Sequence, residues 1–181
     1  MIIFFGPAGA GKSMQGQILA ARMGWRWLSA GQVLRDTHDP EIVKTMQEGK
    51  LVSHEEITRI MSEAIAKGGD IDELILDGFP RKFEQAEWLI NNKSDHGRDI
   101  GLVVVLEVPR AELLNRLRIR GRADDTPEAI DERLSIYREE MYPILGLFTG
   151  QRIPVVHIDG TGNVGQIHDR IFLELQNREL S

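Results

Sequence analysis

Five stretches of the chain are apolar at nearly every position for the length of a strand. Residues 2–5 (IIFF), 73–77 (ELILD), 102–108 (LVVVLEV) and 153–159 (IPVVHID) are the clear ones, and 25–28 (WRWL) is a weaker fifth. Continuous apolarity, in place of alternation, predicts strands of a parallel sheet covered on both faces. Between these stretches the apolar spacing turns helical. Ser53 and Glu56 stand at capping-box spacing ahead of Ile57, Ile60, Met61, Ala64 and Ile65, a helix-start signature. Thr126-Pro127 offers an N-cap and then a proline at the first helical position, leading into Ile130, Leu134, Tyr137 and Met141. Strands alternating with helices predict an α/β, doubly wound fold on a five-stranded parallel sheet flanked by helices. The interval of about 29–71 reads as helical throughout and is long for a simple crossover, so it is expected to be a small helical insertion.

At 181 residues this organisation fits a single domain, its core formed by 1–28 and 72–181. The formal net charge is −6, which argues against a broad nucleic-acid surface. The longest apolar runs, such as 102–106, are too short to span a bilayer. The first apolar run follows Met1 with no basic stretch before it, and reads as a buried strand, not a signal peptide. The chain has no cysteine, which excludes disulfides and thiolate metal sites and suits a reducing cytoplasm. A cytoplasmic monomer without zinc is the expectation.

The strongest motif is Gly6-Pro7-Ala8-Gly9-Ala10-Gly11-Lys12-Ser13. It satisfies G-x-x-x-x-G-K-[ST] and stands between a predicted strand and a predicted helix. Glycines let successive N–H groups turn inward around a phosphate, and the helix that follows adds the positive end of its dipole. Lys12 is expected to reach the β- and γ-phosphates and Ser13 to ligate Mg²⁺. A P-loop alone does not choose between GTPase switches, motor ATPases and small kinases. Asn92-Lys93-Ser94-Asp95 matches the guanine-reading N-K-x-D pattern, but it follows a helical stretch at 83–91 and reads as a polar turn at that helix's end. A GTPase would also need a strand-terminal D-x-x-G, which Asp77-Gly78-Phe79-Pro80 does not provide.

Further segments, in chain order, resemble the adenylate kinase family of nucleoside monophosphate kinases. Residues 28–35 (LSAGQVLR) are similar to that family's S-T-G-D-x-L-R, and Gly49-Lys50-Leu51-Val52-Ser53 to its G-x-L-V-P. Asp77-Gly78-Phe79-Pro80-Arg81 with Gln85 resembles D-G-F-P-R-x-x-x-Q-A, and Gly121-Arg122-Ala123-Asp124-Asp125 with Arg133 resembles G-R-x-D-D-(7)-R. Residues 159–164 (DGTGNV) look like the loop whose backbone lines the adenine of ATP. The resemblance runs from residue 1 to about 165. It implies a P-loop NTPase fold in which about 29–71 is the NMP-binding insertion, about 120–126 is a very short lid, and the reaction is reversible, Mg²⁺-dependent transfer from ATP to AMP giving two ADP.

Phosphoryl transfer needs donor and acceptor in line, water excluded and charge on the equatorial oxygens neutralised. A monophosphate acceptor has a second pKa near ~6 and is mostly dianionic at neutral pH, so no general base is required. Fixed positive charge is required, and the planar fork of arginine grips phosphate oxygens two at a time. By resemblance, Lys12, Arg81, Arg120, Arg122 and Arg133 are the catalytic cations. The same resemblance implies ATP binding by Gly9, Ala10, Gly11, Lys12, Ser13, Met14, Arg116, Arg120 and Gly162. It implies AMP binding by Ala30, Arg35, Lys50, Leu51, Val52, Gly78, Arg81, Gln85, Arg122 and Arg133. Ser13 and Asp77 would hold Mg²⁺, Asp77 through water. Gln85 can both donate to and accept from an adenine edge and accompanies AMP in the family, whereas Ala30 stands where the uridylate/cytidylate branch often has alanine. Base-edge hydrogen bonds discriminate more strongly than pocket lining, so AMP is the expected acceptor, with a UMP/CMP kinase as the alternative. A non-catalytic P-loop regulatory module is the alternative of another class, and it has no use for Arg35, Arg81 and Gln85. Free nucleotides are the expected partners, with no nucleic acid and no membrane.

The run Arg116, Arg118, Arg120, Arg122 is not one patch on a helix. Arg116 and Arg120 share a face at i, i+4, and Arg118 points about 160° away. Arg116 and Arg120 are the expected phosphate-facing pair, Arg118 a solvated neighbour and Arg122 a lid residue past the helix end. Asp124 and Asp125 are expected to orient the arginines when no nucleotide is bound.

Overall fold

The computed structural model describes residues 1–67, 73–92, 97–122 and 125–180. Five parallel strands, β1 (Ile2–Phe5), β2 (Arg26–Ser29), β3 (Leu74–Asp77), β4 (Leu102–Glu107) and β5 (Val155–Asp159), form one sheet in the order β2-β3-β1-β4-β5. The predicted strands are all present, with ends moved by one or two residues for local reasons. Trp25 closes the end of the preceding helix through its N–H to the Ala20 carbonyl, so β2 starts at Arg26. Pro154 has no N–H to give the ladder; its carbonyl accepts from Val103, and β5 starts at the next residue.

Side chains alternate across the sheet. Ile3 and Phe5 of β1 and Val103 and Val105 of β4 join one core layer, whereas Ile2, Phe4, Leu102, Val104 and Leu106 join the other. Both layers are covered, which is why these strands read as unbroken apolar runs. The first layer is capped by α2 (Ala30–Asp36), α3 (Pro40–Gln47), α4 (His54–Ala66), α5 (Phe83–Asn91) and the second half of α7 (Pro127–Gly150). The second is capped by α1 (Lys12–Met23), α6 (Arg110–Arg120), α8 (Val164–Gln176) and the first half of α7. Each large aliphatic side chain buried here contributes roughly 1.5–3 kcal/mol, and the inner strands carry them at almost every position.

The helix starts follow their caps. Ser53 Oγ accepts from Glu56 N–H at the head of α4, and Thr126 Oγ from Ala129 N–H at the head of α7; each is worth about 1 kcal/mol. Three short helices, α2 to α4, occupy the described part of the expected insertion, whose last residues, 68–71, lie outside the described residues. Asn92 ends α5 with its amide on the Trp88 carbonyl; Lys93, Ser94 and Asp95 lie outside the described residues. No helix among the described residues is long and apolar enough to cross a membrane.

Between α1 and α8, His168 is buried and stacks on Phe172, ring centroids 6.3 Å apart. The Arg22 guanidinium lies 3.4 Å above the same Phe172 ring. Neither ring nitrogen of His168 has a hydrogen-bond partner. Burial, aided by the nearby Arg22 charge, lowers its pKa below the ordinary histidine value.

Candidate active site

All strand ends carrying the motifs meet at one edge of the sheet, where α/β folds place their ligands. A cleft of about 770 Å³ opens there. The P-loop lines its floor. Gly9, at φ +85, approaches α6 so closely that a Cβ would meet Leu117 Cγ at 3.0 Å and the Leu113 carbonyl at 3.1 Å. Gly11 caps α1 in the left-handed conformation with no side-chain cap bond, and the first N–H groups of a helix have no partner within it.

Lys12 lies across this loop, its ammonium donating to the Gly6 and Pro7 carbonyls at 2.7 and 2.9 Å. Burial lowers its pKa to about 8; Asp77 opposes that shift, and Arg81 and Arg120 add to it. Ser13 Oγ donates to Asp77 Oδ2 at 2.6 Å, and Asp77 is almost completely buried at the end of β3. A hydroxyl and a carboxylate side by side are hard oxygen donors of the kind Mg²⁺ takes in company with phosphates and water.

The arginines converge from separate elements. Arg35 of α2, Arg81 after β3, Arg120 at the end of α6, Arg122 just past it and Arg133 of α7 all line the cleft. Arg35 receives its orientation from Gln32 Oε1 at 3.3 Å, and Arg81 from the Gly78 carbonyl, which accepts from Nε at 2.8 Å. Asp125 gathers the groups at the end of α6 and on α7. Its carboxylate accepts from Arg120 Nε at 2.8 Å and from Arg120 Nη2, from Arg133 Nη1 at 3.2 Å and from the Arg122 backbone N–H at 3.2 Å. Burial alone would raise the Asp125 pKa. The Arg120 pair, the Arg122 N–H and Arg133 together outweigh burial and hold it below the usual carboxylate range. Asp124, expected to share this work, lies outside the described residues, as does Ala123.

Arg116 and Arg120 both line the cleft and Arg118 is exposed, as the helical spacing predicts. Arg116, however, directs its N–H groups to protein acceptors: Glu112 Oε1 at 2.7 Å, the Gly160 carbonyl at 2.9 Å and the Ala10 carbonyl at 3.5 Å. It braces the P-loop against the loop after β5. Met14 and Gly162 line the same end of the cleft, whereas the Ala10 side chain is buried beneath it.

Lys50, Leu51, Gly78 and Arg81 line both the cleft and a smaller pocket beside it. That pocket, of about 40 Å³, is also lined by Ala30, Val52 and Gln85, with Leu34, Ile57 and Phe79 among its apolar walls. The buried Gln85 turns Oε1 to the Arg81 backbone N–H at 2.7 Å, so its amide is already oriented by the turn that carries Arg81. The turn after α3 is pressed against α7: Gly49, at φ +77, leaves room for hydrogen only, since a Cβ would meet the Ala129 carbonyl oxygen at 2.6 Å. Arg133 Nη2 adds a bond to the Met46 carbonyl at 3.2 Å.

Several cleft residues are not among the expected site residues. Gln15 is buried and donates from Nε2 to the Val164 carbonyl at 2.9 Å, while its Oε1 has no partner. Glu112, Ile136, Tyr137, Glu140, Asn163 and Val164 also line the cleft. The signal for three of them was available: Arg133, Ile136, Tyr137 and Glu140 fall at i, i+3, i+4 and i+7 of α7, one helical face.

A family model described as adenylate kinase matches residues 4–153. The adenylate kinase of Thermus thermophilus is 36% identical over 180 residues, covering 94% of this chain and 94% of that protein. That of Mycolicibacterium paratuberculosis is 32% identical, covering 96% and 98%. That of Porphyromonas gingivalis is 34% identical, covering 94% and 92%.

Proposed function

Because the chain belongs to the adenylate kinase family, we propose that it transfers the γ-phosphoryl group of ATP to AMP, reversibly, giving two ADP. The observation that carries this reading is the convergence of Lys12 with six arginines from four separate parts of the chain on one cleft. A nucleotide-binding switch needs the P-loop and little else, whereas transfer between two phosphates needs cations on both.

The donor lies with its phosphates on the P-loop N–H groups and Lys12, and its base toward Met14, Gly162 and the loop braced by Arg116. The acceptor phosphate lies between Arg35 and Arg81, with its base toward Ala30, Val52 and Gln85 beside Lys50 and Leu51. Arg120, Arg122 and Arg133 surround the group in flight. The acceptor oxygen is already an anion, so these residues orient it, hold its charge and exclude water, and none has to take a proton. Ser13 and Asp77 fit Mg²⁺, which when bound neutralises phosphate charge. Residues 29–71 act as the acceptor-binding insertion and 120–126 as a short lid. The enzyme works as a cytoplasmic monomer on free nucleotides.

The test is ADP formation with ATP and Mg²⁺ and, in turn, AMP, CMP, UMP or GMP. AMP is expected to be the best acceptor by at least about tenfold in kcat/KM. A rate with CMP or UMP equal to that with AMP would overturn the acceptor assignment and give Ala30 more weight than Gln85. No ADP with any acceptor would leave a nucleotide-binding module.

A further inference from the structure

The cleft-facing stripe of α7 ends in two polar side chains, and each reaches the backbone of a different acceptor-side element. Arg133 holds the Met46 carbonyl of α3. Glu140, seven residues or about 10 Å farther along the axis, accepts from the Phe83 N–H of α5 at 3.2 Å. Phe83 is the first residue of α5, and the N-cap position, Lys82, makes no side-chain cap bond. The opening N–H groups of a helix have no partner within it, and a carboxylate there also meets the positive end of the helix dipole. α5 therefore takes its cap from another helix, across 57 positions of sequence.

The acceptor-side groups stand on that first turn and just ahead of it. Arg81 and Gln85 flank Phe83, and the Gln85 side-chain Oε1 accepts from the Arg81 N–H, so a shift of the Phe83 backbone carries both with it. We propose that Glu140 is a positioning residue for the acceptor clamp: by capping α5 from α7 it sets where Arg81 and Gln85 stand in the cleft. The proposal rests on the reading of those two residues as acceptor ligands. A negative charge beside a site for a dianion offsets its gain at the helix dipole, so the property the cap requires is the oxygen, which a glutamine also has.

The experiment uses the full chain with Glu140→Leu and Glu140→Gln, and follows hydrogen exchange at the Phe83 amide together with initial rates for both substrates. Glu140→Leu is expected to speed exchange at Phe83 and to raise KM for AMP about tenfold, the scale of a lost cap, with KM for ATP and kcat within about twofold. Glu140→Gln is expected to restore both readouts. Unchanged Phe83 exchange, a parallel rise in both KM values, or a glutamine variant as impaired as the leucine one would each overturn the proposal. If the wild type makes no ADP from AMP, the acceptor reading itself fails, and with it the role in the clamp; exchange at Phe83, measured without substrate, then still separates that failure from the absence of a cap.

Discussion

Ser13 and Asp77, 64 positions apart, meet in a 2.6 Å hydrogen bond between the first turn of α1 and the end of β3. The pair ties the start of α1 to the end of β3, which is paired with β1 from Ile2 to Phe4. It also places the two oxygen donors proposed for Mg²⁺ within a hydrogen bond of each other.

Asp77→Asn should therefore uncouple metal from catalysis. The amide keeps a hydrogen bond to Ser13 but loses the charge, and kcat with Mg²⁺ is expected to fall about 10²-fold or more. Binding of metal-free nucleotide should stay close to wild type. Mg²⁺ titrations of rate and affinity check this, and an Asp77→Asn enzyme with a normal Mg²⁺ response would remove Asp77 from the site.

Lys12 links nucleotide binding to protons. With its pKa lowered to about 8 by burial, the ammonium of the empty protein is partly deprotonated at mildly alkaline pH. A phosphate anion beside it favours the charged form and raises that pKa. Binding of ATP near pH 8.5 should then take up a proton, and affinity should weaken as pH rises through about 8. Calorimetry in two buffers of different ionisation enthalpy reads the uptake directly; identical heats in both would contradict it.

Gly49→Ala tests the docking of the α3–α4 turn on α7. Its φ of +77 disfavours any side chain by roughly 1–2 kcal/mol, and the new methyl would sit 2.6 Å from the Ala129 oxygen. The turn must move away from α7, drawing Lys50 and Leu51 with it. A fall in Tm of several degrees and a higher KM for AMP are expected, with KM for ATP much less affected. A variant with wild-type Tm would show that the contact yields at no cost.

His168 should make stability depend on pH in the acid range. Its folded pKa is lowered by burial, so below the ordinary value of about 6.5 the unfolded chain binds the proton more readily than the folded one. Stability is thus complete above that value and declines as pH falls toward the folded pKa. Denaturant unfolding between pH 5 and 7.5 should show this slope, and His168→Leu should flatten it. An unchanged slope in the variant would assign the effect to other groups.

Much of this architecture is readable from the chain alone because burial on both faces leaves an unambiguous mark: β1, β3 and β4 are apolar at almost every position. The P-loop is readable because its chemistry needs adjacent residues. Arg116 shows where reading stops. Helical spacing puts it on a face with Arg120, but its acceptors include the Ala10 and Gly160 carbonyls, and backbone carbonyls have no signature in side-chain sequence. Tyr137 was readable as an apolar position of α7; that it packs on Phe5, ring centroids 5.6 Å apart, and also lines the cleft depends on how α7 crosses the sheet. Glu140 shares the helical face of Arg133, but its bond to the Phe83 N–H has no such mark, since the two are neighbours only after folding.

The carboxylate of Asp125 has a further consequence for turnover. It occupies guanidinium positions that a phosphate would otherwise find hydrated, so on the proposed reading a nucleotide arrives as a competing anion. Ligation is then an exchange of one negative partner for another, and the net gain is the difference between two strong interactions. Such a balance keeps products from being held too tightly, and it stores no mutual repulsion among the cations between one cycle and the next.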